Sequence, residues 1–220
     1  MPSPVEYREG LQVLTAEAVA TSVELLRRTS GSADSRRYLL LEGVPSLVGY
    51  YADGSSALAA DFYDERREMA GVRRSFGASP IVPDRTVKIR RAVAWASEPL
   101  FQGLELDAAK RLEQVVQLET ARPFRDTITS NRKRDPQSVG WQRISAGGCA
   151  FCRALASRGA VYKESTARFA AHPSCHCTAS PVFLGGDTGP EASVLQYMAS
   201  KRSRSPKERE QVRNWISLFE

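Results

Sequence analysis

The sequence predicts a mainly α (α+β) protein, a helical N-terminal part followed by a small segment with short strands. Three observations lead there. Over roughly the first 120 residues apolar side chains recur at spacings of three and four, the period of a helix with one buried face. After residue 140 the pattern changes to short extended stretches punctuated by glycine pairs. All four cysteines and both histidines of the 220-residue chain fall in the second region, between positions 149 and 177.

Taken in order, Leu11–Arg28 is the first expected helix, with Leu14, Ala18, Val19, Val23 and Leu26 near one face. Gly31 to Asp34 breaks it, and Asp34 or Ser35 can cap a second helix through Leu41. Pro45 restarts the chain for Ser46–Tyr51, and Asp53-Gly54-Ser55 reads as a turn. A further helix is expected from Ser56 to Met69, with Leu58, Phe62 and Met69 inward and a charged outer side. The Gly-, Ser- and Pro-rich stretch from Gly71 to Pro83 reads as a loop with an extended piece at Ile81-Val82. Thr86–Ala96 and Asp107–Thr120 are helices, the latter capped by Asp107. Asp126-Thr127-Ile128 opens a helix that ends in a turn at Asp135-Pro136. Gly140–Ile144 is a strand, Phe151–Ser157 a short helix, and Ala160-Val161-Tyr162 and Thr178–Phe183 further extended stretches. Trp215, Ile216, Leu218 and Phe219 close a basic tail and can dock a terminal helix. The division that follows is a helical domain over 1–121, a basic connecting segment over 122–139, a Cys/His domain over 140–184, and a linker with a tail helix over 185–220.

Composition narrows the class. Hydrophobic residues make up 42% and charged residues 25% of the chain, which is ordinary for a globular protein and excludes wholesale disorder. The longest apolar runs are far too short to cross a bilayer. The N-terminal residues lack a positive region followed by an apolar stretch, so a reducing compartment is expected. The net charge of +6, concentrated at Arg122–Arg134 and Lys201–Arg213, suits a polyanion or an acidic protein surface, although a solvated face would have the same composition.

The Cys/His constellation carries the chemistry. Cys149-Ala-Phe-Cys152 is followed by His172-Pro-Ser-Cys175-His176-Cys177. A two-residue gap lets two thiolates of one turn face a common centre, and the second cluster supplies the remaining ligands. Two disulfides fit the even count but not a reducing compartment. A redox Cys-x-x-Cys has no use for the second cluster, and a catalytic cysteine leaves three others unexplained. A structural Zn2+ accounts for all of them. Its candidate ligands are Cys149, Cys152, His172, Cys175 and Cys177, five groups for four places, with His176 turned away or acting behind a ligand. The expected fold is therefore a helical part followed by a zinc-stapled α/β segment. No catalytic triad spacing is present, and no catalytic or organic cofactor residues are assigned.

Gly140-Trp-Gln-Arg143, the run Gly147 to Tyr162 and His172-Pro-Ser-Cys-His-Cys177 together resemble the phage Mu F-like minor capsid, or head morphogenesis, family of tailed phages, particularly its actinobacteriophage members. Ala59–Arg67, Asp126-Thr127-Ile128 and Arg134-Asp135 are similar to the helical part of that group. The resemblance covers most of residues 40–183, and the Cys/His block is its specific piece. It implies a virion structural protein rather than an enzyme, located in the phage head and in the host cytoplasm during assembly. The implied partners are the portal and/or the major capsid protein, with packaged DNA contacted through the basic segments. Neither a membrane nor a small-molecule substrate is implied. A nucleic-acid-binding zinc protein is the alternative, supported by the basic segments and by Trp141, Phe151 and Tyr162 near the cysteines.

Overall fold

The computed structural model describes residues 4–145, 148–157, 175, 177–185 and 205–219. Helices dominate them. In chain order they are α1 (Pro4–Arg28), α2 (Ala33–Met69), α3 (Thr86–Ala96), a 3-10 turn (Glu98–Gln102), α4 (Glu105–Arg134), strand β1 (Ser138–Ile144), α5 (Ala150–Ala156), β2 (Thr178–Phe183) and α6 (Pro206–Ser217). The mainly α expectation holds, with the two strands forming one small antiparallel sheet. Among the described residues no helix is long and apolar enough to cross a membrane.

Helices α1 and α2 form an antiparallel hairpin. Gly31 takes φ +96, a left-handed conformation that costs glycine little, and the Ser32 hydroxyl then caps α2 by accepting from the Ser35 amide at 3.2 Å. The cap thus lies earlier than the expected Asp34 or Ser35. Along the seam the helices approach closely: a Cβ at Gly43 would stand 2.9 Å from a methyl of Leu25, and one at Gly10 3.3 Å from Leu58.

Helix α2 is one element of 37 residues where the sequence suggested three pieces. Pro45 lacks the amide that would bond to the Leu41 carbonyl. That carbonyl instead accepts from Arg90 of α3 at 3.0 Å, so the helix continues and the orphaned acceptor is satisfied from outside. Gly54, read as a turn, faces Leu14 of α1 at van der Waals distance. Tertiary packing overrides both local signals.

Helix α4 overturns another expectation. It runs unbroken from Glu105 to Arg134 with Pro123 inside it, so the basic stretch from Arg122 is its C-terminal half rather than a connector. It also starts before Asp107, directly after Gly103 turns the chain at φ +71. The loop between α2 and α3 runs back along α4, and its backbone is held by side chains. Asn131 accepts from the Ser79 amide at 2.9 Å and donates to the Ser79 carbonyl at 2.8 Å. One turn earlier Thr127 accepts from the Ile81 amide at 2.9 Å. Both side chains are fully buried and act as a surrogate neighbouring strand.

Among the described residues two large apolar cores result. One joins α1, α2, α3 and the first half of α4 through Ala18, Leu40, Val44, Val48, Val93, Leu112 and Val116. The other brings the sheet onto the helices: Tyr7, Phe62, Tyr63, Phe124 and Ile128 pack with Trp141, Ala179 and Phe183. Packing is therefore continuous across residues 139–140. A buried ion pair marks this junction. Arg67 donates to Asp135 at 2.8 Å, and Asp135 also accepts from the Gln137 amide at 3.0 Å. The same ring of contacts pushes the Tyr63 pKa well above its ordinary value, chiefly through burial.

Candidate metal centre

The site is built where the sheet meets α4. Strand β1 pairs with β2 in a register that sets Trp141 opposite Pro181 and Arg143 opposite Ala179, with an irregularity between Ser138 and Gly140. Alternation along β1 puts Trp141 and Arg143 on one face, and both are buried. Strand β2 is buried along its whole length. Its N-terminal end therefore delivers Cys177 and Cys175 to the interior. Helix α5 supplies Cys152 from the other side.

These three thiols form one buried group. The Sγ atoms of Cys152, Cys175 and Cys177 lie within 4.8 Å of one another, close enough to bind a single metal ion. The Cys152–Cys175 separation is 3.9 Å. Tetrahedral bonds of about 2.3 Å to sulfur require neighbouring sulfurs about 3.8 Å apart, so the donor set fits a thiolate-bound ion. Cys149 is exposed at the N-cap of α5 and stands outside this group of three. His172 and His176 lie outside the described residues, as does the extended stretch expected at 160–162. Thus three of the five candidate ligands are brought together.

Electrostatics match the geometry. Hydrogen bonding from Cys152, then from Cys177, with Arg125 adding its charge, holds the Cys175 thiol far below the ordinary thiol range. Hydrogen bonding with Cys175 and Cys177, followed by burial, pushes Cys152 far above it. Three thiols grouped at one buried point form a donor set suited to a cation once deprotonated.

Two arginines surround the group. Arg125 on α4 is 3% exposed, and its guanidinium donates to the carbonyls of Cys177 at 3.0 Å and Cys175 at 2.8 Å. Burial lowers its pKa, while the thiols of Cys175 and Cys177 oppose that shift. Arg143 on β1 brings Nη1 to 3.9 Å from the Cys175 sulfur. A third arginine, Arg153, follows Cys152 and donates to the Gly148 carbonyl at 2.6 Å and to the Phe219 carbonyl at 3.0 Å. The last contact docks α6 beside α5, where Trp215 and Phe219 meet edge to face.

Sequence spacing singles out none of these arginines as part of the site, and it groups Arg125 with the basic segment expected to face DNA or an acidic protein surface. That expectation is corrected. Arg125 shares a helical face with Ala121 and Ile128, which are buried, so it is carried inward. The alternation of β1 similarly places Arg143 with Trp141. Both signals were present in the periodicity. Of the other basic side chains of the segment, Arg122 lies 3.9 Å from Glu119, Arg132 donates to the Val139 carbonyl, and Arg134 stacks over Phe76.

Fold and site together describe a mainly helical protein with a buried cysteine centre on a two-stranded sheet. Comparison with known families then places it. A family model described as VG15 protein matches residues 3–200, and the chain belongs to that family, a group of viral gene proteins. No curated protein and no solved structure is matched.

Proposed function

We propose that the chain is a minor capsid, or head morphogenesis, protein of a tailed phage. It acts at the portal or the capsid interior in head assembly, DNA packaging or ejection. The observation that carries this reading is a coincidence: a viral family match spanning residues 3–200 contains a buried cysteine cluster in the very segment that resembles the phage Mu F-like group. The metal is proposed to be zinc, because closed thiolate-rich sites on short, loop-rich segments are its usual structural use. The role is structural rather than enzymatic. Its partners are the portal and/or the major capsid protein, and its place is the phage head, with the host cytoplasm during assembly. Mass spectrometry of purified particles tests the reading. The chain is expected in heads at low copy number and in pull-downs of the portal, and its absence from both procapsids and mature heads sinks it.

One observation supports a direct contact with packaged DNA, the basis of the alternative as a nucleic-acid-binding zinc protein. Because the α2–α3 loop runs antiparallel along α4, exposed Arg73 and Arg74 lie toward the same end as exposed Lys133 and Arg134. Such a group suits phosphates better than the inward-facing Arg125 does. Reversing Arg73 and Arg74 to glutamate should flatten the salt dependence of DNA binding by the purified chain; an unchanged slope removes DNA from the list of partners.

A further inference from the structure

Five groups compete for a site with four places, and the structure assigns the fourth place to Cys149, giving a four-thiolate centre framed by Arg125 and Arg143. This assignment rests on the reading of the cluster as a zinc site and names its ligand set.

Position is the first argument. Cys149 is the N-cap of α5 and Cys152 stands three residues later, so both belong to one side of the first helical turn. The Cys149 side chain makes no capping hydrogen bond to that helix, and the i, i+3 spacing mounts it on the same turn as Cys152. The three grouped sulfurs already define one face of a tetrahedron, and an ion seated on that face needs one more donor from outside it.

The backbone that carries Cys149 is also fixed. Arg153 donates through Nη1 to the Gly148 carbonyl at 2.6 Å, and its own amide donates to the Cys149 carbonyl at 3.1 Å. The residue next to Cys152 therefore holds the peptide units on both sides of the Cys149 α-carbon. A ligand mounted on a pinned turn loses little freedom when it binds.

Charge is the third argument. Four thiolates around a divalent ion leave two negative charges in a buried place, where uncompensated charge is costly. Among the described residues, two guanidinium groups lie against the cluster, that of Arg125 on the carbonyls of Cys175 and Cys177 and that of Arg143 near the Cys175 sulfur. A neutral histidine in the fourth place would leave one negative charge against the same two cations. The four-cysteine set matches the surroundings, and it leaves no place for His172 among the ligands. It also closes the site to water, consistent with a metal that staples rather than catalyses.

Zinc K-edge X-ray absorption on the full chain, purified reduced, tests the assignment without any substitution. Four sulfurs at about 2.3 Å with no nitrogen shell are expected. Three sulfurs with one nitrogen at about 2.0–2.1 Å would overturn the assignment while leaving the zinc reading intact. A folded chain that binds no zinc overturns both. Competition with a chromophoric chelator adds a second readout. Cys149→Ser should weaken zinc binding at least about tenfold, whereas His172→Asn should leave it within about twofold, since only the former removes a ligand. The reverse ranking rejects the proposal.

Discussion

The helical body and the cysteine segment are held together by different physics. In the body, long helices bury apolar faces against one another, with Val44, Val93, Val116 and Phe124 fully enclosed. In the segment, α5 has seven residues and the sheet two strands, too little for an independent core. Its interior is instead filled by thiols and by arginines that grip backbone carbonyls. The lesson is that the body's stability should be spread over many contacts, whereas that of the segment is concentrated in a few. The boundary is not clean, because Trp141, Ala179 and Phe183 belong to the body's core. Substitutions can test where one regime gives way to the other.

The largest effect is expected at the cysteines. Cys175→Ser removes a proposed ligand, and structural zinc contributes on the order of 10 kcal/mol to folding of small domains. Elemental analysis should show metal lost, and hydrogen exchange should show protection lost from β2 and α5 while α1 and α2 stay protected. Loss of protection throughout would mean that the two regions form one cooperative unit.

Next comes the junction. Asp135→Ala strands the buried Arg67 guanidinium and should cost about 3–5 kcal/mol, read as a lower denaturant midpoint at an unchanged slope. A cost well below 1 kcal/mol would show that the sheet is anchored by apolar contact alone.

A smaller effect is expected in the body at the Pro45 gap. Arg90→Met leaves the Leu41 carbonyl without its donor from α3 and should cost about 1–2 kcal/mol. The same change made on Pro45→Ala should cost less, because the restored helix amide then serves that carbonyl. Equal costs in the two backgrounds would remove Arg90 from the explanation of why α2 continues.

The smallest is a pH effect. Burial raises the Glu119 pKa, but the hydrogen bond from Arg85 and the charges of Arg85, Lys88 and Arg122 outweigh it, so the net shift is downward. A folded-state pKa below the unfolded one means that this stabilisation is fully present above the ordinary carboxylate range. It is lost as pH falls through the depressed folded value. Glu119→Gln should therefore flatten the acid side of the stability curve and leave neutral-to-acid differences smaller than in the parent chain. An unchanged acid limb would assign that slope to other carboxylates.

The sequence made the elements with one strong signal easy to read and obscured those where two signals conflict. Helix α3 and, from Leu11 onward, helix α1 follow helical periodicity, and the cysteine pairs follow ligand spacing, so these are legible; α1 begins earlier, at Pro4, where one buried side chain, Tyr7, gives too little pattern. By local rules Pro45 and Gly54 break helix α2, and it is Arg90 and Leu14, distant in sequence, that neutralise them. In the second half of α4 charge masks the helical period. Arg125, Thr127 and Asn131 are polar residues on the buried face, and composition cannot separate a solvated face from a polar interior. At the metal centre the ligand types were visible, but the arginines that shape it enter through the tertiary arrangement of α4 and β1.

The pairing of Ser79 and Ile81 with Asn131 and Thr127 works as a ruler for the chain between α2 and α3. Upstream of Ser79, extra residues in the turn after Gly71 would lengthen an exposed stretch and leave the gauge marks aligned. Between Ser79 and Thr86 a single inserted residue would shift the count on which Arg85 meets Glu119 and Arg90 meets the Leu41 carbonyl. Length variation among family members should therefore accumulate before position 78 and be scarce from 79 to 90.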